Sequence, residues 1–155
     1  MESLCDILES DFLKLLKFEL NTKQALQLWR LYQSGSVKLC VWMPRNNDLD
    51  GLTKVFFSEK KKIFEVYILD SVLKSKYSCW RMSILLHELA HVLQYDAPAL
   101  KSARQVERIG KHGYLWNKTV KTSIKEGKLK NNAFLIRSHR QSCLYSSSSE
   151  QCEWC

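Results

Sequence analysis

Residues 78–95 read SCWRMSILLHELAHVLQY, with Pro98 just beyond. The pattern is helical, and Ile84, Leu85, Leu86, Leu89, Ala90, Val92 and Leu93 are spread around the whole circumference. A helix that is apolar on every side is a buried one. Inside it stands His87-Glu88-Leu89-Ala90-His91, an H-E-x-x-H motif. The i, i+4 spacing puts both imidazoles on one helix face, one turn apart, where they can reach a single Zn²⁺. Glu88 projects beside them, placed to take a proton from water as a general base. Burying three ionisable groups in one turn of an apolar helix costs several kcal/mol unless each is paired or ligated. A metal ion removes that cost in one step.

A catalytic zinc usually has three protein ligands and one open position. His112, between Lys111 and Gly113 and ahead of Tyr114-Leu115-Trp116, is the leading candidate for the third. Gly110 and Gly113 give the backbone freedom to turn its imidazole towards the motif helix. Asp96 and Glu107 are the alternatives. The compact metzincin pattern is absent, because Leu93-Gln94-Tyr95-Asp96-Ala97 follows the motif instead. Oxyanion stabilisation is unassigned; Tyr114 is a candidate for it, with packing against the core as its alternative role.

Outward from this helix, Leu4, Ile7, Leu8, Phe12, Leu15 and Leu16 predict an amphipathic helix over residues 3–20. A second helix is expected across Lys23 to Gln33, ended by Ser34-Gly35-Ser36. Three β-prone runs follow: 37–43, closed by Pro44; 52–58, after a turn-rich stretch 45–51; and 63–69. The last two read as a hairpin, and the three together as a small, largely antiparallel sheet. Further helices are expected over 102–109 and 114–125. The fold class is therefore α+β, with about three strands packed on helices that include the motif helix. Residues 1–127 read as the domain, and 128–155 as a basic, cysteine-containing tail.

The chain has 155 residues, 45% of them hydrophobic and 26% charged, with only 5 Gly and 2 Pro, which suits one globular domain. No stretch approaches the roughly 20 apolar residues of a membrane span. The N-terminus carries acids where a signal peptide has basic residues, so an intracellular protein is expected. The net charge of +8 is unevenly placed. Residues 101–140 hold eleven of the 24 Lys and Arg but two of the 16 acids, so the other thirteen bases and fourteen acids net to −1. Lys118, Lys121, Lys125 and Lys128 would form a stripe along a helix, with Lys130, Arg137 and Arg140 beyond it. Such a stripe can neutralise phosphates, or simply be a solvated face. Cys5, Cys40 and Cys79 lie singly in apolar stretches and read as small buried hydrophobes. Cys152 and Cys155 have C-x-x-C spacing, and with His139 and Cys143 they would make an irregular second zinc site; a redox pair or plain tail thiols are the rivals. Trp29, Trp42, Trp80 and Trp116 are expected in the core, with base stacking as the alternative role; Trp154 in the tail could serve either purpose.

Taken together, these residues resemble a SprT-like zinc metalloprotease domain, the family of Spartan. The resemblance spans residues 24–124: Leu28-Trp29 on an early helix, a small sheet, the helix from Ser83 to His91, then His112-Gly113 with Trp116. It implies a zincin-like fold, zinc held by His87, His91 and His112, and Glu88 as general base. It also implies cleavage of proteins crosslinked to DNA, as in DNA–protein crosslink repair, switched on by DNA with single-stranded character, and with that the nucleus or another DNA-containing compartment. That implication favours the basic stretch as a DNA contact and the terminal cysteines as a second, structural zinc element. The chain leaves no room for the ubiquitin- or clamp-binding tails of larger relatives, so recruitment by those routes is not expected.

The leading expectation is thus a zinc-dependent endopeptidase acting on DNA-associated proteins, with substrate added along an exposed strand edge at residues 63–69. The alternatives are a non-catalytic, zinc-containing nucleic-acid-binding module, in which Glu88 has no task, and a small peptidase unconnected to DNA.

Overall fold

The computed structural model describes residues 2–43, 49–58 and 61–109. Helix α1 spans Leu4–Lys14 and runs into a π-helical turn, Leu15–Glu19; α2 spans Thr22–Gln33. Strands β1 (Val37–Trp42), β2 (Gly51–Ser58) and β3 (Lys61–Leu69) follow, then the short α3 (Asp70–Leu73), the long α4 (Ser78–Tyr95) and α5 (Ala103–Ile109). The class is α+β. The expected helix over 3–20 is instead α1 plus one π turn, and α3 was not foreseen because four residues carry no periodic signal.

Helix α1 starts from a capping box, in which Ser3 Oγ accepts from the Asp6 amide while the Asp6 carboxylate accepts from the Ser3 amide. Hydrogen bonding to the Ser3 side chain, and then to the Ser3 amide, holds the Asp6 carboxyl below its ordinary value. Its inner face, Leu8, Phe12 and then Leu15, is fully buried. Beside them Asp11, also buried, accepts from Arg81 on α4, with Arg81 Nε 2.9 Å from Asp11 Oδ2. Arg81 donates in addition to the Ser75 carbonyl at 2.7 Å. This buried ion pair ties the first helix to the first turn and a half of α4.

The sheet order is β1-β3-β2. The β2–β3 pair is antiparallel, as the hairpin reading requires, but β1 pairs with β3 in parallel. The sheet is therefore mixed rather than largely antiparallel. The last strand inserts between the first two, and β1 runs in the same direction as β3. β3 uses both edges for hydrogen bonding, so it cannot accept an added strand; among the described residues the sheet edges are β1 and β2.

Side chains alternate across the sheet. Phe64, Val66 and Ile68 of β3 are fully buried against the helices, joined by Val37, Leu39 and Val41 of β1 and Val55 of β2. The core closes on α4 through Ile84, Leu85, Leu89 and Val92. Helix α4 packs on β2 and β3 and ends at Asp96, where Pro98 bars continuation. Lys62 Nζ caps that end, donating to the carbonyls of Tyr95 (2.9 Å) and Ala97 (2.8 Å), where a cation also suits the helix dipole. Burial pushes the Lys62 ammonium below its ordinary value, partly offset by the Asp96 carboxylate.

Two expectations about single residues are corrected. Cys5 is exposed and Cys40 half-buried, because Cys5 lies off the inner face of α1 and Cys40 points to the outer face of the sheet. Trp29, Trp42 and Trp80 are half-buried rather than in the core; Trp80 packs against it, whereas Trp42 lies on the outer face of the sheet. Among the described residues no helix is long and apolar enough to cross a membrane. The boundary at residue 127 and the helix expected over 114–125 lie outside the described residues.

Candidate metal centre

The motif sits in the middle of α4, on the side that faces β2. The His87 and His91 rings stand 5.1 Å apart between centroids, edge to face, as one helical turn dictates. Glu88 and His91 are buried, at 6% and 4% exposure, and the His87 side chain is nearly so. His87 Nε2 lies 4.0 Å from Glu88 Oε1. An ionisable trio is thus held in a water-poor pocket between helix and sheet, where electrostatic interactions are stronger than in water.

His91 and Glu88 are each fixed by neighbours outside the motif. Nδ1 of His91 is 3.2 Å from Oε1 of Gln94, one turn further along α4. With its proton on Nδ1, His91 donates to that oxygen and turns the Nε2 lone pair outward, the arrangement typical of metal-ligating histidines. The ring of Tyr95 stacks on His91 at 5.5 Å with 18° between planes. The Tyr95 hydroxyl is pushed up to about 12, first by burial and then by the Glu88 carboxylate. Glu88 is anchored from the sheet: Thr53 Oγ1 donates to Glu88 Oε2 at 2.6 Å and also lies 3.0 Å from the Glu88 carbonyl oxygen. Two residues earlier on the same face of β2, Gly51 touches the same side chain. A Cβ at Gly51 would fall 3.0 Å from Glu88 Cγ, 3.1 Å from Glu88 Oε1 and 3.1 Å from the Tyr67 carbonyl oxygen. Only glycine leaves room for Glu88 to lie flat against the strand.

Thr53, Gly51, Gln94 and Tyr95 were not singled out from the sequence. Gln94 could have been, since i+3 from His91 places it on the same helix face. Thr53 and Gly51 could not, because 35 residues separate Thr53 from its partner.

The two alternative third ligands sit elsewhere. Asp96 closes α4 and accepts from Gln27 Nε2 of α2 at 2.7 Å, and Glu107 is exposed on α5. Among the described residues, no group of three or more His, Cys, Asp and Glu stands close enough to hold an ion. His112 lies outside the described residues. So do Tyr114, the candidates for a second zinc (His139, Cys143, Cys152 and Cys155), and the basic candidates Lys118, Lys121, Lys125, Lys128, Lys130, Arg137 and Arg140. The donor chemistry present fits a zinc ion: two imidazoles one turn apart, one of them oriented by an amide oxygen, with an anchored carboxylate between. No family model, curated protein or solved structure matches the chain.

Proposed function

We propose that this chain is a zinc-dependent endopeptidase of the SprT-like, zincin type, acting on proteins associated with or crosslinked to DNA and stimulated by DNA. The observation that carries the reading is the buried trio on α4: two imidazoles 5.1 Å apart, with Glu88 locked to the neighbouring strand by Thr53. A structural zinc site needs no such carboxylate; a hydrolytic one does.

His87 and His91 would hold the ion, with His112 as the third ligand in the SprT-like arrangement. A zinc ion there supplies Lewis-acid activation of water and of a peptide carbonyl. Glu88 takes a proton from the attacking water. As the C–N bond breaks, Glu88 passes that proton to the leaving nitrogen. Thr53 and Gly51 keep the carboxylate from swinging away during both transfers. The edge of β2, beside the motif helix, offers backbone N–H and C=O groups along which a substrate segment would pair as an added strand. The net charge of +8, concentrated in residues 101–140, supports the link to DNA.

The test is to incubate the protein with zinc and a single-strand DNA-binding protein, with and without single-stranded DNA, beside Glu88→Gln. That substitution keeps the shape of the side chain and removes the base. Fragments that appear with DNA and vanish in the variant are expected. DNA retention without cleavage in any lane would move the assignment to a zinc-containing nucleic-acid-binding module. Cleavage indifferent to DNA and to salt would leave a peptidase with no nucleic-acid role.

A further inference from the structure

The face of the sheet turned away from α4 is patterned. Pairing register and alternation place Cys40 and Trp42 of β1, Leu52 and Phe56 of β2, and Ile63 and Tyr67 of β3 on it. None of these six is buried or packs into the core, and Phe56 is 49% exposed. Across the middle runs a charged row in which Lys38 and Lys54 flank Glu65, and Lys61 follows towards the far end. The three lysines are exposed. Trp42 meets Tyr67 edge to face at 6.3 Å, Lys54 Nζ lies 5.2 Å above the Tyr67 ring, and the Tyr67 hydroxyl donates to Glu65 at 2.7 Å. Glu65 is thus engaged by Tyr67, and the three lysines dominate the face.

We propose that this outer face binds single-stranded nucleic acid, with bases stacking on Trp42 and Phe56 and phosphates meeting Lys38, Lys54 and Lys61. Aromatic rings that accept any base, interleaved with cations that follow a backbone, are what sequence-tolerant single-strand binding requires. Trp42 pairs with Leu69 and Phe56 with Ile63, six residues apart on β3, which is about 20 Å. Rings that far apart suit an extended polymer rather than a mononucleotide. Charge decides against a second copy and against residues 101–140 as occupants. A second copy would oppose these lysines with the same lysines, and residues 101–140 of the chain itself carry a net +9. A polyanion is complementary to the face; neither of those is. The face also backs the candidate metal centre, because Thr53, which holds Glu88, and Lys54 are adjacent residues on opposite sides of β2. The inference rests on the proposed function only in taking DNA as the polymer.

The experiment is fluorescence anisotropy with an end-labelled oligothymidylate and the full chain carrying Glu88→Gln, so that no proteolysis intrudes. Phe56→Ala and Trp42→Ala are each expected to weaken binding about fivefold to a hundredfold. The double variant Lys38→Gln/Lys54→Gln should weaken it and flatten its salt dependence. Phe56, Lys38 and Lys54 are exposed, so those variants should melt with the parent and keep the test valid if Trp42→Ala misfolds. Parental affinity in Phe56→Ala and in the lysine variant would overturn the inference while leaving DNA binding by residues 101–140 intact. No binding by the parent would overturn it together with the DNA link of the proposed function. Weakened binding in these variants, together with no cleavage by the protein that retains Glu88, would support the inference and sink the protease reading. A dimer that dissociates when the face is altered would assign the face to a second copy, against the inference.

Discussion

The hydroxyl of Thr53 donates to the carboxylate of Glu88 at 2.6 Å, across the gap between β2 and α4. The bond spans 35 residues of sequence and fixes the one group in the site whose direction matters most for moving a proton. A carboxylate on a helix has several rotamers; this one is pinned by a strand hydroxyl on one side and by Gly51 on the other.

Thr53→Val, which keeps the shape and removes the donor, should lower the turnover number about tenfold to a hundredfold, the range seen when an orienting partner is lost. KM should change little, since the hydroxyl touches Glu88 rather than substrate. Thr53→Ser should restore most of the rate. Steady-state kinetics on the three proteins, with melting curves alongside, checks this; equal rates in all three would show that Glu88 needs no anchor.

Gln94→Ala should weaken zinc binding about tenfold to a hundredfold, because Nδ1 of His91 loses the acceptor that orients it. His91→Ala should abolish high-affinity binding altogether. Competition against a chromophoric chelator gives both constants. Removing the metal with such a chelator should also abolish proteolysis, and added zinc should restore it.

Breaking the Asp11–Arg81 pair from one side should be severe. Asp11→Ala leaves the Arg81 guanidinium largely buried without its carboxylate, at a cost of about 3 kcal/mol. The paired replacement Asp11→Leu/Arg81→Met should recover most of that, since both desolvation costs disappear together. Urea denaturation of the single and double variants measures the difference.

On the outer face of the sheet, the Tyr67 hydroxyl is pushed up to about 12, chiefly by its bond to the Glu65 carboxylate. In the unfolded chain a tyrosine ionises near pH 10. The folded state therefore keeps a proton that the unfolded state gives up, and stability falls as pH climbs from about 10 to 12. Below pH 10 the contribution is fully present. Difference absorbance titration of the parent against Tyr67→Phe should show one phenol ionising near 12, and Glu65→Gln should bring it back towards 10.

What the linear sequence determined is whatever depends on neighbours within one or two turns. Residues 78–95 are helical because their apolar periodicity and the following Pro98 leave little else, and His87, Glu88 and His91 share one patch of that helix because 3.6 residues make a turn. The β2–β3 hairpin was equally legible, two alternating runs joined by a short basic turn. Tertiary structure alone decided the rest. Nothing in the composition of 37–43 says that it pairs in parallel with β3, or that β3 takes the central place expected to be an edge. Strand order follows from which faces the helices cover, a property of the whole assembly. The same holds for Thr53 and Gly51 against Glu88, for Asp11 under Arg81, and for the aromatic and lysine rows opposite them. Each is a contact between residues that are remote in sequence, set by register and packing rather than by local preference.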